Sequence, residues 1–204
     1  MLVTFFMDTY TNDQIEDLIK RIRLYVMNVV TESRYEHSVR TAQTCELLCR
    51  RYGLDVLKGY LIGIGHDMCK NMNDRLLISL ASKDGNPITE IEAGKPSLLH
   101  GRAAAVKLKN DFGVTDSELL EAVANHTFGL KNACDYTKVL YVADKVEPGR
   151  KHITKEYTEK LLEKCLDEMT AQVLEENIMY LRKKGHSVSS STLLFYKTLT
   201  GRDL

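Results

Sequence analysis

The chain lacks a net charge, has few prolines and contains no long apolar run. Its 204 residues carry 28 basic and 28 acidic side chains. That balance argues against a protein that coats nucleic acid or an anionic membrane, since both reward a large positive excess. No apolar stretch approaches the roughly 20 residues that a helix needs to cross a bilayer. The apolar segment Met1–Met7 is short, lacks a basic leader and runs directly into Asp8, so it makes a poor signal peptide. Strand alternation, internal repeats and low-complexity linkers are also missing. The five cysteines (Cys45, Cys49, Cys69, Cys134 and Cys165) are odd in number and follow no export signal, which predicts reduced thiols in a cytoplasmic protein. Cys45 and Cys49 stand one helical turn apart, but two further soft ligands are missing. Core packing is therefore expected of them.

What the chain does have is helical periodicity. Only Pro87, Pro96 and Pro148 interrupt it, and 44% hydrophobic with 27% charged residues is an ordinary globular composition. Thr11 with Gln14, and Ser33 with Glu36, read as capping pairs that open the first two helices. Gly53 ends the second, and Asp55 opens a third that runs into His66-Asp67-Met68-Cys69-Lys70. Two short helices are expected over 74–96, then helices over 97–112, 116–127 and 137–147. One long helix is expected over 154–184, closed by Gly185, and a last one over 190–199. The expected fold is all-α: a single-domain helical bundle over 1–204, with a core over about 30–155 and a long C-terminal helix in an extension over about 155–204. More apolar positions on that helix than a small domain needs would fit a homodimer. The basic run Arg182-Lys183-Lys184 reads as a solvated helix end.

Four of the six histidines sit beside polar residues within apolar helices: His37, His66, His100 and His126. Asp144 ends the run Val139-Leu140-Tyr141-Val142-Ala143, where an unpaired carboxylate would be costly to bury. Imidazole nitrogen with carboxylate oxygen suits iron, manganese, zinc or nickel better than calcium. Adjacent His66 and Asp67 cannot share one face of an ideal helix. They converge on one ion only if the helix ends there.

The order His37, His66-Asp67, Asp144 resembles the metal motif of the HD-domain phosphohydrolase superfamily. Five blocks resemble its YqeK-like branch of symmetrical bis(5′-nucleosyl)-tetraphosphatases. They are Arg34-Tyr35-Glu36-His37-Ser38-Val39, His66-Asp67 with Lys70, Leu98-Leu99-His100-Gly101, His126-Thr127-Phe128-Gly129, and Ala143-Asp144 with Glu147-Pro148-Gly149-Arg150. The resemblance implies a metal held by His37, His66, Asp67 and Asp144, with iron first and manganese, cobalt or nickel as alternatives. Asp67, His100 and His126 are the implied catalytic residues, the two histidines meeting either a second metal or substrate phosphate. The implied reaction splits diadenosine tetraphosphate into two ADP by attack of an activated water, with ADP or GDP as product-like ligands and no nucleic-acid polymer or membrane as partner.

Hydrolysis of a phosphoanhydride needs positive charge around the phosphates. Arg34, one turn before His37, Lys70, one turn after His66-Asp67, and Arg150, just past Pro148-Gly149, are the expected substrate contacts, together with Asp67, His100, His126 and Asp144. Thr127 offers a hydroxyl to phosphate or to a helix cap. Gly101 and Gly129 read as turn residues. Cys69 beside a redox-active metal is expected to be oxidation-prone. No catalytic motif stands after about residue 155. Two other readings stay open: an HD phosphohydrolase of nucleoside monophosphates or guanosine alarmones, and a nucleotide sensor without turnover.

Overall fold

The computed structural model describes residues 10–204, so the expectation for Met1–Met7 lies outside the described residues. The chain is all-α, with eleven α-helices and no strand among those residues. They are α1 Asn12–Val29, α2 Glu32–Tyr52, α3 Val56–Gly65, α4 Asp74–Ala81, α5 Glu90–Gly94, α6 His100–Phe112, α7 Ser117–Asn125, α8 Asp135–Val146, α9 Lys155–Leu162, α10 Leu166–Lys183 and α11 Ser190–Thr200. Short 3₁₀ turns over Ser82–Asp84 and Pro96–Leu99 follow α4 and precede α6. No helix among the described residues is long and apolar enough to cross a membrane.

Local chemistry explains most boundaries. Thr11 and Gln14 form the expected capping box on α1, and the Asp55 carboxylate caps α3 by accepting from Leu57 N and Lys58 N. The start of α2 differs from expectation. Thr31 holds the N-cap position without a side-chain cap, and Ser33 Oγ lies 3.4 Å from Thr31 Oγ1. The helix begins two residues early because Tyr35 N already bonds Thr31 O at 2.9 Å.

The long helix expected over 154–184 is two helices. Residues 163–165 break it, and Cys165 adopts extended backbone as the N-cap of α10, with Glu168 returning to its backbone N–H. The freed carbonyls at the end of α9 are taken by side chains of α2: Arg51 Nε donates to Leu162 O at 3.1 Å and the Tyr52 hydroxyl to Lys164 O at 3.0 Å. A helix end whose carbonyls find such partners has no need to continue. Of the apolar positions on this stretch, Leu161, Leu166, Met169, Val173, Leu174 and Ile178 are buried in the core, whereas Cys165, Met179 and Tyr180 are exposed.

One contiguous core runs from Ile15 of α1 to Tyr196 of α11. At its centre α2 and α3 touch backbone to backbone. A Cβ at Gly63 would collide with Ala42 Cα, and one at Gly59 with the Cys49 sulfur. Cys45 and Cys49 pack there as small hydrophobes, and burial pushes the Cys49 thiol up to about 12. Helix α8 lies against α2, α3, α7 and α10, so its C-terminal end meets the exits of α3 and α7.

Candidate active site

Three helix boundaries and the second turn of α2 deliver the histidines. His66 caps the end of α3, and the chain then tightens into successive turns, with Met68 N on Gly65 O, Lys70 N on Asp67 O and Met72 N on Cys69 O. This exit from helical geometry lets His66 and Asp67 face the same point. His126 caps the end of α7, His100 starts α6 after its 3₁₀ turn, and His37 lies in the second turn of α2.

Three of these imidazoles share one device. His66 Nδ1 lies 2.7 Å from Gly63 O, His100 Nδ1 2.7 Å from Ser97 O, and His126 Nδ1 2.8 Å from Val123 O. A carbonyl only accepts, so each Nδ1 carries hydrogen and each Nε2 presents a lone pair. His37 repeats the device with a carboxylate: its Nδ1 lies 3.2 Å from Glu147 Oε1. Burial would raise the Glu147 pKa, but Arg40 Nε and Gly149 N, both at 2.6 Å, together with His37, hold it below the usual range.

The four lone pairs converge on Asp67. His37 Nε2 and His66 Nε2 lie 3.8 and 3.6 Å from Asp67 Oδ2, and 3.1 and 3.8 Å from Asp144 Oδ1. His100 Nε2 and His126 Nε2 lie 3.0 and 3.8 Å from Asp67 Oδ1, and 3.0 Å from each other. All of these atoms are acceptors. Buried acceptors crowded within 4 Å, with His37 Nε2 and His66 Nε2 lacking any hydrogen-bond partner, fit a cation between them. Two ligand groups result, His37/His66/Asp67 and Asp67/His100/His126, with Asp67 common to both. Burial pushes His66 down to about 3, keeping it a neutral donor. Burial would raise Asp67, yet His66, His100 and His126 hold it well below the usual range. Lys145 and the imidazoles do the same for Asp144.

The expected cations also converge, each on a carboxylate or imidazole. Arg34 Nη1 donates to Asp67 Oδ2 at 2.8 Å, and Arg150 Nη2 to Asp144 O at 2.6 Å and Asp144 Oδ1 at 2.8 Å. Lys70 Nζ lies 3.1 Å from His100 Nε2 and 3.9 Å from Asp67 Oδ1. These groups line a cavity of about 720 Å³. The Thr127 hydroxyl also lines it, buried and without a partner, so it serves no helix cap.

Several residues escaped the reading of the sequence. Glu147 and Arg40 orient His37, although Glu147 lay inside a quoted block. Lys145 lies 3.5 Å from Asp144 Oδ2 and 3.7 Å from the centre of the Tyr141 ring. The only local signal for it was a lysine next to Asp144 in an apolar helix. The C-terminal quarter, in which no catalytic motif was read, walls the cavity through Asn177, Leu181, His186, Ser187, Ser189 and Thr192. Gly101 is no turn residue: it lies within α6, and a Cβ there would come 2.9 Å from the His126 ring and from Val123 O. Gly129 has the positive φ of a turn (75°) and also lies against Phe195. Cys69 is fully buried, outside the lining of the cavity, and burial pushes its thiol up to about 12, which removes the reactive thiolate.

A family model described as the HD domain matches residues 34–149, more than half of the chain. The chain belongs to the HD-domain family. A symmetrical bis(5′-nucleosyl)-tetraphosphatase of Bacillus subtilis (strain 168) is 30% identical over 174 residues, which are 85% of this chain and 93% of that protein. A protein of the same name from Staphylococcus aureus (strain NCTC 8325 / PS 47) is 26% identical over 86% of this chain and 91% of its own length. The crystal structure of a protein from Clostridium acetobutylicum, described as a predicted HD superfamily hydrolase involved in NAD metabolism, matches with a TM-score of 0.83. It is 27% identical and covers 90% of this chain and 97% of that one. The HD domain implies binding of a divalent metal, and the clustered imidazoles and carboxylates have the donors for it.

Proposed function

We propose that the chain is a single-domain, cytoplasmic, metal-dependent hydrolase that splits diadenosine tetraphosphate into two molecules of ADP. The observation that carries this reading is the convergence of four imidazole lone pairs on Asp67, beside a cavity lined by Arg34, Lys70 and Arg150. The relatives that carry the name of this activity are matched over nearly their whole length.

His37, His66, Asp67 and Asp144 would hold the metal, with iron first and manganese, cobalt or nickel as alternatives. Bound there, it supplies positive charge to the phosphoryl oxygens and acidifies a water toward neutrality. Arg34, Lys70 and Arg150 bind the polyphosphate, exchanging part of their hold on carboxylates for phosphate oxygens. Thr127 donates its free hydroxyl to the same oxygens. His100 and His126, with hydrogen already on Nδ1, each have Nε2 open to a proton. One of them receives the single proton lost by the attacking water and then gives it to the departing ADP. The bond between the two central phosphates breaks, one ADP gains the water oxygen, and the other leaves with a proton.

The test is product identification after incubating purified protein with diadenosine tetraphosphate and iron, manganese or cobalt. ADP as sole product is expected. An intact dinucleoside, with nucleoside released from nucleoside monophosphates or pyrophosphate from guanosine alarmones in parallel incubations, would assign one of the two alternative substrate classes, and bound but uncut nucleotide would assign a sensor.

A further inference from the structure

A second cavity, of about 670 Å³, opens on the far side of Asp144, Lys145, Arg150 and Asn177, and these four residues line both cavities. Its outer wall comes from the turn after α8 and from α9 and α10: Ile153, Tyr157, Val173, Glu176 and Tyr180. Two aromatic rings stand there under different constraints. The Tyr157 hydroxyl donates to Glu176 Oε2 at 2.6 Å, which fixes its ring. Tyr180 is 58% exposed, a large aromatic held at the rim of a cavity instead of in the core.

We infer that this cavity receives the second nucleoside of a dinucleoside polyphosphate. The base lies against Tyr180 and Tyr157, and the phosphate chain passes Arg150 to the imidazole cluster. The first nucleoside lies in the larger cavity, where Leu98, Phe128 and Leu181 supply the apolar wall. The inference rests on the dinucleoside reading above and adds to it the place of the second base. Aromatic faces stack any base, and the Glu176 carboxylate accepts from an exocyclic amine. The two cavities meet at Asp144 and Arg150, against the cluster. A substrate anchored by a base in each arm therefore has the middle of its phosphate chain at the reacting centre, which yields equal halves. A single arm would measure the cut from one end alone.

The experiment compares kcat/KM for diadenosine tetraphosphate and for adenosine 5′-tetraphosphate, which has the same four phosphates and one nucleoside. Wild type is expected to prefer the dinucleoside. In Tyr180→Ala that preference narrows about tenfold, through KM for the dinucleoside, the size of one lost base–aromatic stack. Tyr180→Phe keeps the ring and should keep the preference. Because Tyr180 is exposed, both variants should melt with wild type. A wild-type protein that splits the dinucleoside, with the same preference in Tyr180→Ala, overturns the second-nucleoside site alone. A phenylalanine variant as impaired as the alanine one overturns the stacking. A wild-type protein that leaves the dinucleoside intact overturns the function reading with it.

Discussion

The two imidazole pairs flanking Asp67 are built alike and charged differently. In both, a hydrogen bond at Nδ1 aims the Nε2 lone pair inward. His37 and His66 then face two carboxylates, with Asp144 Oδ1 as close as 3.1 Å. His100 and His126 face the other oxygen of Asp67 and share it with the Lys70 ammonium, 3.1 Å from His100 Nε2. Lone pairs alone do not make a strong cation site; the count of carboxylates and what already stands against the lone pairs decide, because the carboxylates on both sides are bonded by cations, Arg34 on Asp67 Oδ2 and Arg150 on Asp144 Oδ1 among them. The first pair, with two carboxylates and no partner on either Nε2, suits a resident metal. The second, with one carboxylate oxygen and the Lys70 ammonium against His100 Nε2, suits a phosphate group and a moving proton.

Removing the shared residue should have the largest effect. Asp67→Ala takes a ligand oxygen from both pairs, and turnover should fall about 10³-fold or more, with metal content by elemental analysis falling in parallel. Full occupancy with a normal rate would show that Asp67 is not the hinge between the two pairs.

The comparison is sharpened next by single histidines. His66→Ala should lose metal and rate together. His100→Ala should retain metal and lose about 10²-fold in kcat, the usual worth of a positioned proton carrier. If His100→Ala lost metal as readily as His66→Ala, the two pairs would be equivalent and the second would be a metal site as well.

The same asymmetry shows in how much the amino-acid pattern revealed. All six imidazole and carboxylate residues of the cluster were read from short blocks, because each is a polar residue set in an otherwise apolar helical pattern and in the order of a known motif. Their orientation was not. The acceptors at Nδ1 for three of them are backbone carbonyls, which no side chain encodes, and that of His37 comes from Glu147, 110 residues away. The helix break at 163–165 was hidden for the same reason, since the groups that satisfy it, Arg51 and Tyr52, lie at the end of α2. The outer walls of the cavities come from α9, α10 and the segment leading into α11, where no motif marks a residue that merely lines a surface.

Glu147 gives a smaller, separable effect, because it acts only on the first pair. Glu147→Gln weakens the acceptor for His37 Nδ1 and the partner of Arg40, and about 10- to 100-fold in metal affinity should go with it. Metal titration of the stripped protein measures this. Activity at saturating metal should recover most of its wild-type value, which a catalytic role for Glu147 would not allow.

The smallest expected effect probes the second pair through packing alone. A methyl group at Gly101 would meet the His126 ring and the Val123 carbonyl at 2.9 Å, inside normal contact distance. Neither neighbour is a free side-chain tip: the ring is held by its bond to Val123 O, and the carbonyl belongs to α7. Gly101→Ala must therefore shift His126 or part α6 from α7, at a cost of about 1–3 kcal/mol in stability by denaturant titration. Metal on His37 and His66 should be untouched, while kcat falls about tenfold, as a modest displacement of a reacting group entails. A Gly101→Ala protein that turned over normally would mean that His126 tolerates displacement, and that proton transfer on this side belongs to His100.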